Sequence, residues 1–296
     1  IVDDIASEKV LAIPGTQLRI SSHDATQYGS RLLANFIPDR KFPFPKSLYA
    51  IEDALRFFVQ NKPDALIMDF FGGSGTTTHA VARLNKQDGG SRQSILVTNN
   101  EVSTDEAESL RQKGFQPGDP EWEALGIFEY ITRPRLISAF TGRTPEGKPI
   151  NGDYKFTDEF PMVDGFSENI EFFFLDFLDP SEVARGDAFQ AILPILWMMA
   201  GCQGAREDSK GSQPWFITKH SPFAVLIKEK EFRAFRERLS ERKDIEWVFL
   251  VTDSEENFAL MRRALGNKVE CVQLYKSYLE NFRLNTPEAL GQVEAS

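Results

Sequence analysis

The chain has 296 residues, 41% hydrophobic and 26% charged, the balance of a globular protein long enough for two ordinary domains. Its longest apolar run, residues 191–202, is too short to span a bilayer and contains Pro194, and no basic-then-apolar leader opens the sequence, so the reading is a cytoplasmic protein with no membrane partner. Net charge is −10 and uneven, −2 over residues 1–150 and −8 over residues 151–296, which argues against the second half as a phosphate-binding surface.

Residues 1–44 carry much Pro, Gly and Ser and little periodicity, and read as an irregular connector. From Ser47 the apolar positions Leu48, Ile51, Leu55 and Phe58 recur at helical spacing, and Asn61-Lys62-Pro63 ends that helix. Residues 65–70 read as a buried strand. Residues 76–86 follow as a helix with Ala80, Val81 and Leu84 inward, then a turn at Asp88-Gly89-Gly90 and a strand at 94–98. Strand, Gly-rich turn, helix, turn and strand make one βαβ unit, which implies a parallel sheet. Residues 104–111 are polar and helical in composition, and 126–140 (GIFEYITRPRLISAF) read as a helix interrupted before Pro134.

Residues 141–170 are rich in Gly, Pro and Asp and read as a linker or an excursion, after which 170–178 (IEFFFLDFL) resume a strand. An apolar helix over 187–201 contains Pro194, and two short strands flank His220-Ser221-Pro222 as a hairpin. A helix over 229–243 and a strand over 246–252 come next. The last helix is opened by a capping box of Asp253 and Glu256 and closed by Gly266, before a strand over 269–275. The second half is therefore α/β as well. Cys202 and Cys271 suit a reducing compartment, and with His23, His79 and His220 they form no metal-ligand spacing.

The most informative stretch is Asp69 to Thr77, DFFGGSGTT, at the end of the first predicted strand. A Gly-rich turn there lets the backbone approach a ligand, and the amides of the next helix favour polar or anionic groups. Three nucleotide or catalytic loops are excluded by single residues. A phosphate-cradling loop needs Lys after its last glycine, where Thr76 stands; a dinucleotide fingerprint needs Gly where Thr78 stands; a nucleophile elbow needs Gly at position 76. A tight turn with no ligand is the plain alternative.

The same residues resemble the D-x-F-x-G-S-G-T-T loop of amino-methylating (adenine-N6 and cytosine-N4) DNA methyltransferases, with Gly72 where alanine is usual. The resemblance extends to FPFPKS (42–47) and to LNKQDGGSRQSILVTNNE (84–101), and more loosely to VDDI (2–5) and GFSENIEFFFLDFLDP (165–180). It is similar to the permuted β subclass, and within it to the Mod-type subunits of restriction–modification systems.

The resemblance implies a doubly wound, Rossmann-like methyltransferase sheet over 42–150, preceded by a connector (1–41) from a target-recognition region and followed by a second α/β domain over 151–296. It implies S-adenosylmethionine as cofactor and no metal. The backbone of Gly72, Gly73, Ser74, Gly75, Thr76 and Thr77 would pass beside the donor, Asp69 would receive its ammonium group, and Lys46, with Ser47 capping the helix, would hold its carboxylate through a charge-assisted bond of about 1.5–3 kcal/mol. Phe70 and Phe71 would pack on the adenine or in the core. Thr98 stands where an acidic ribose ligand is expected, which leaves Asn100 or Glu101 for that role.

The family's catalytic Asp/Asn/Ser-Pro-Pro-Tyr/Phe loop is not found in the sequence, so no catalytic residue is assigned. The expectation is a C-terminal, cofactor-binding part whose base-gripping loop lies upstream of Ile1. Implied partners are DNA, through the full-length protein, and a restriction or helicase subunit or a second copy. The alternative is a non-catalytic assembly or nucleotide-sensing module of a restriction-like defence complex.

Overall fold

In the computed structural model, which describes residues 20–40, 42–175, 189–209 and 213–274, the chain divides into one unit over Ile1–Phe172 and another over Phe173–Ser296. The first unit begins differently from the expected connector. A π-helical turn over Thr26–Arg31 runs into α1 (Leu32–Phe36), and Leu32, Leu33, Phe36 and Ile37 are all buried. This apolar cluster is too short to show a period in sequence, yet it suffices to seat the segment in the core.

Ser47 opens α2 (Leu48–Val59) by accepting the Ala50 amide, while its hydroxyl donates to the Ser22 carbonyl (2.7 Å). Leu48 is buried, with Ile51 and Leu55 packed against the same cluster; Phe58, placed inward by spacing, is instead 75% exposed. Strand β1 (Leu66–Asp69), helix α3 (Thr76–Asp88) and strand β2 (Gln93–Leu96) form the expected parallel βαβ unit, with Leu66 opposite Gln93 and Asp69 opposite Leu96. Ala80, Val81 and Leu84 of α3 are buried as read from the pattern.

β1 itself departs from the buried strand expected. Side chains alternate across a pleat. Thr78 and Ser94 hydroxyls meet on the α3 side (3.0 Å), whereas Leu66, Met68, Ile95 and Val97 remain 39–61% exposed on the other. Among the described residues β1 pairs only with β2, and no layer covers that second face.

The two helices are joined by a buried ion pair, Glu52 of α2 with Arg83 of α3, the guanidinium lying 4.4 Å from the Tyr154 ring. Further on come α4 (Thr104–Gln112), capped by Ser103, and the short α5 (Pro120–Glu123). A π-helical turn over Phe128–Thr132 passes without a break into α6 (Arg133–Thr141), so the expected interruption before Pro134 is absent. Pro134 falls in the first turn of α6, where its missing N–H goes unneeded.

Residues 141–170 prove to be an excursion, not a linker. Bridges join Arg143 to Pro149 and Asp153 to Pro161, and Ile150, Tyr154, Phe160, Met162 and Phe166 pack in one cluster with Phe36, Leu48 and Ala80. The first unit thus runs past the boundary expected at 150. Residues 171–175 form no strand, and Phe174 and Leu175 are largely exposed; 176–178 lie outside the described residues.

In the second unit β3 (Trp215–Ile217) and β4 (Phe223–Leu226) make the expected hairpin, and β5 (Trp247–Val251) and β6 (Glu270–Leu274) continue parallel to β4 in the order β3-β4-β5-β6. Alternation divides the central strands between two cores. Phe223, Val225, Phe249 and Val251 pack with Leu193 and Trp197 of α7 (Phe189–Met199). Ala224, Leu226, Val248 and Leu250 pack with Phe235 and Leu239 of α8 (Phe232–Leu239) and Met261 of α9 (Glu255–Leu265). Ser254, not Asp253, caps α9, accepting the Asn257 amide at 3.1 Å. The chain is α/β, carrying a two-stranded parallel sheet and a four-stranded mixed one among the described residues.

Candidate functional site

β1 carries Asp69 to its carboxyl end, and the chain turns through Gly72–Gly75 into α3. Gly73 (φ +50°) and Gly75 (φ +81°) hold left-handed backbone, where an L side chain is strained. Gly72 answers a different constraint: a Cβ there would sit 2.6 Å from Leu96 Cγ. The space that an alanine methyl would take is occupied by Leu96, so the departure at 72 is matched across the sheet.

Hydrogen bonds fix the turn from both strands. The Gly75 amide donates to the Gly72 carbonyl (2.8 Å) and the Gly72 amide to the Val97 carbonyl (3.0 Å). Asp69 spans the loop, its Oδ1 accepting the Phe71 amide (2.9 Å) and its Oδ2 the Thr77 hydroxyl (2.6 Å). The first amides of α3 have no acceptor within the helix, and its dipole makes this end favourable to polar and anionic groups.

Other predicted residues gather near this turn to different degrees. Phe42 of the Phe-Pro-Lys segment approaches Gly73, its Cζ 3.8 Å from where a Cβ would be. Ser47 is buried as the α2 cap and Lys46 is exposed. Phe70 and Phe71 are 61% and 92% exposed, so neither takes the core place considered for one of them.

Asn100 is engaged on every side. Its Nδ2 donates to the Glu123 carbonyl and carboxylate (both 2.8 Å), and its Oδ1 accepts the amides of Phe128 and Glu129 (both 3.1 Å). Glu101 is exposed, with its carbonyl taken by the Ile127 amide. Of the two ribose candidates, only Glu101 presents a carboxylate to solvent.

Sequence reasoning missed the residues beneath the turn. Thr132 donates its hydroxyl to the Gly73 carbonyl (2.5 Å). Arg135, 1% exposed, donates through Nη1 to the Ser74 carbonyl (3.1 Å), the Ser74 hydroxyl and the Thr76 hydroxyl (both 2.8 Å). Burial lowers the Arg135 guanidinium to about 10, which leaves it a cation at neutral pH. Leu136 presses on Gly75, its Cγ 3.1 Å from a Cβ built there. The spacing of T-R-P-R-L puts 132, 135 and 136 on one helical face, but nothing in it points to the turn as their partner. A cavity of about 480 Å³ lies at the far end of α3, lined by Asn85, Gly90, Asp164 and Phe166 among others, and none of the turn residues borders it.

Comparison with known proteins finds relatives in restriction–modification systems. The chain is similar to methyltransferases of restriction–modification systems. It is 43% identical over 79 residues to the Type II methyltransferase M.KpnI of Klebsiella pneumoniae, covering 27% of this chain and 18% of that protein. The Mod-type resemblance is borne out by the Type III restriction-modification enzyme EcoPI Mod subunit of Escherichia phage P1, 39% identical over 122 residues, 40% of this chain and 17% of the relative. The EcoP15I Mod subunit of Escherichia coli is 30% identical over 117 residues, 39% of this chain and 16% of the relative. No family model matches the chain. The chain spans less than a fifth of the length of these relatives.

Proposed function

We propose that the first unit binds S-adenosylmethionine and serves methyl transfer to the exocyclic amine of a DNA base, adenine N6 before cytosine N4. The observation that carries this is the Gly73–Thr76 turn at the carboxyl end of β1, with two left-handed glycines, Asp69 spanning it and the first turn of α3 facing the same place. In this reading the donor's amino acid end lies over the turn, with the Asp69 carboxylate accepting from its ammonium group and Lys46 pairing with its carboxylate. The exposed rings of Phe70 and Phe71 supply a stacking surface for adenine, and Glu101 takes the ribose hydroxyls.

The reaction is an in-line displacement at the methyl carbon. The amine lone pair forms the new C–N bond as the C–S bond breaks, and the amine then loses a proton. The group that grips the base belongs to a further stretch of polypeptide, because no Pro-Pro-aromatic loop occurs in these 296 residues. Partners of the whole protein are then DNA and a restriction or helicase subunit. The −8 balance of residues 151–296 fits protein docking better than a phosphate backbone.

Calorimetric titration tests the cofactor. The chain is expected to bind S-adenosylmethionine or its demethylated product in preference to NAD or ATP, with Asp69→Ala and Gly73→Val weakening binding. Tighter binding of NAD would overturn the assignment.

A further inference from the structure

We propose that Thr132, Arg135 and Leu136 are positioning residues that hold the Gly73–Thr76 turn in its ligand-receiving shape, a role that rests on reading that turn as the S-adenosylmethionine site. They lie on one face of the helix running from the π-helical turn into α6 and touch successive residues of the turn. Thr132 holds the carbonyl of Gly73, Arg135 the carbonyl and hydroxyl of Ser74 and the hydroxyl of Thr76, and Leu136 packs against Gly75.

Their polar contacts go to carbonyl and hydroxyl oxygens of the turn, so its backbone N–H groups are not spent on them. Glycines at left-handed φ give such a turn access to many conformations, and a loop with that freedom pays an ordering penalty each time it binds. Fastening four consecutive residues to a helix removes that penalty in advance.

Arg135 is an unusual choice for a purely structural peg. Its side chain is fully buried, its Nε has no hydrogen-bond partner, and no carboxylate among the described residues pairs with it. A buried guanidinium without a counter-charge is unfavourable. Here Nη1 alone makes three bonds to the loop, so the charge lies against the turn over which the proposed reading places the donor's amino acid end. The same cation that orders the turn thereby favours an anionic group above it.

Hydrogen exchange of the ligand-free chain decides the anchoring. In Thr132→Val, exchange over residues 70–78 is expected to rise about tenfold, the scale of one lost buried hydrogen bond, with α2 and β2 unchanged, and Thr132→Ser should restore protection. Arg135→Met should loosen the same peptide further. If that variant does not fold, the Thr132 pair carries the test alone. Unchanged protection, or loss spread evenly over the first unit, would overturn the proposal.

Titration with the demethylated cofactor product supplies the second arm. Thr132→Val should raise Kd about tenfold, and Thr132→Ser should not. Wild-type-like affinity in a variant with a loosened loop would also overturn the positioning role. If the wild type itself fails to bind, the cofactor reading falls, while the exchange result still settles whether the three residues anchor the turn.

Discussion

Gly72 and Leu96 show how one methyl is distributed between two strands. A Cβ at 72 would collide with the Leu96 side chain, so Gly72→Ala is expected to destabilise the first unit by about 1–3 kcal/mol, the usual range for overpacking. Leu96→Ala in that background should recover part of the loss. Urea unfolding of the two single variants and the double variant would reveal the coupling, and strict additivity would show that the contact is relieved at no cost.

His79 offers a second test at this scale. It is fully buried between the rings of Phe36, Tyr154 and Phe166, with Nε2 2.7 Å from the Tyr154 hydroxyl. Burial, and then the charges of Arg135 and Arg83, hold it well below the usual 6.5, so it is neutral in the folded protein. The unfolded chain takes up a proton there below about 6.5 and the folded chain does not. Stability therefore falls as pH drops through that value, by at most about 1.4 kcal/mol per pH unit. Melting curves between pH 7.5 and 5 should show this slope in the wild type and lose it in His79→Gln. Glu52, whose carboxyl is raised chiefly by burial, titrates in both proteins and cancels in the difference.

Among the elements, α2 and α3 depend on the Glu52–Arg83 pair as well as on apolar packing. Arg83→Met leaves the buried Glu52 carboxylate only its longer contacts to Arg56 and Gln87 (both 3.3 Å), and about 3 kcal/mol of destabilisation is expected by chemical denaturation. Glu52→Leu combined with Arg83→Met should be far milder, because both charges then leave the interior together. The βαβ unit was legible because each element has a local cause: apolar spacing in α3, left-handed glycines at its start, and Gly89 (φ +69°) ending it. The Glu52–Arg83 pair was not legible, since two charged residues 31 apart read as solvated until packing brings them together. The helix across Pro134 was misread for a related reason. Proline excludes the helix interior, but a π-helical turn ahead of it supplies a new first turn in which it fits.

At the scale of the whole molecule, each unit has its own core. The second unit's sheet is covered on one face by α7 and on the other by α8 and α9. A fragment of residues 173–296 is expected to fold alone, with a cooperative melt matching one of two transitions in the full chain. It should show no salt-sensitive DNA binding at low ionic strength, where non-specific binding is strongest. Strong binding there would remove the case for a protein-docking role. The sheet face of the first unit that no described residue covers makes a separate prediction. Met68→Lys should reduce self-association of the isolated chain in sedimentation, because it breaks an exposed apolar strip.

Residue order by itself determined the α/β class, the parallel βαβ unit and the Gly-rich turn with Asp69 before it. All of these follow from side-chain period, glycine conformational freedom and capping, which act over a few neighbouring residues. Only the tertiary structure decided that β1 lies half uncovered, that Phe70 and Phe71 face solvent, that Asn100 is consumed in a structural clamp, and that residues 150–166 complete the first core. It also placed Thr132 and Arg135 under carbonyls 59 and 61 residues away. Burial and hydrogen-bond partnership are set by what packs from elsewhere in the chain, and no local pattern encodes them.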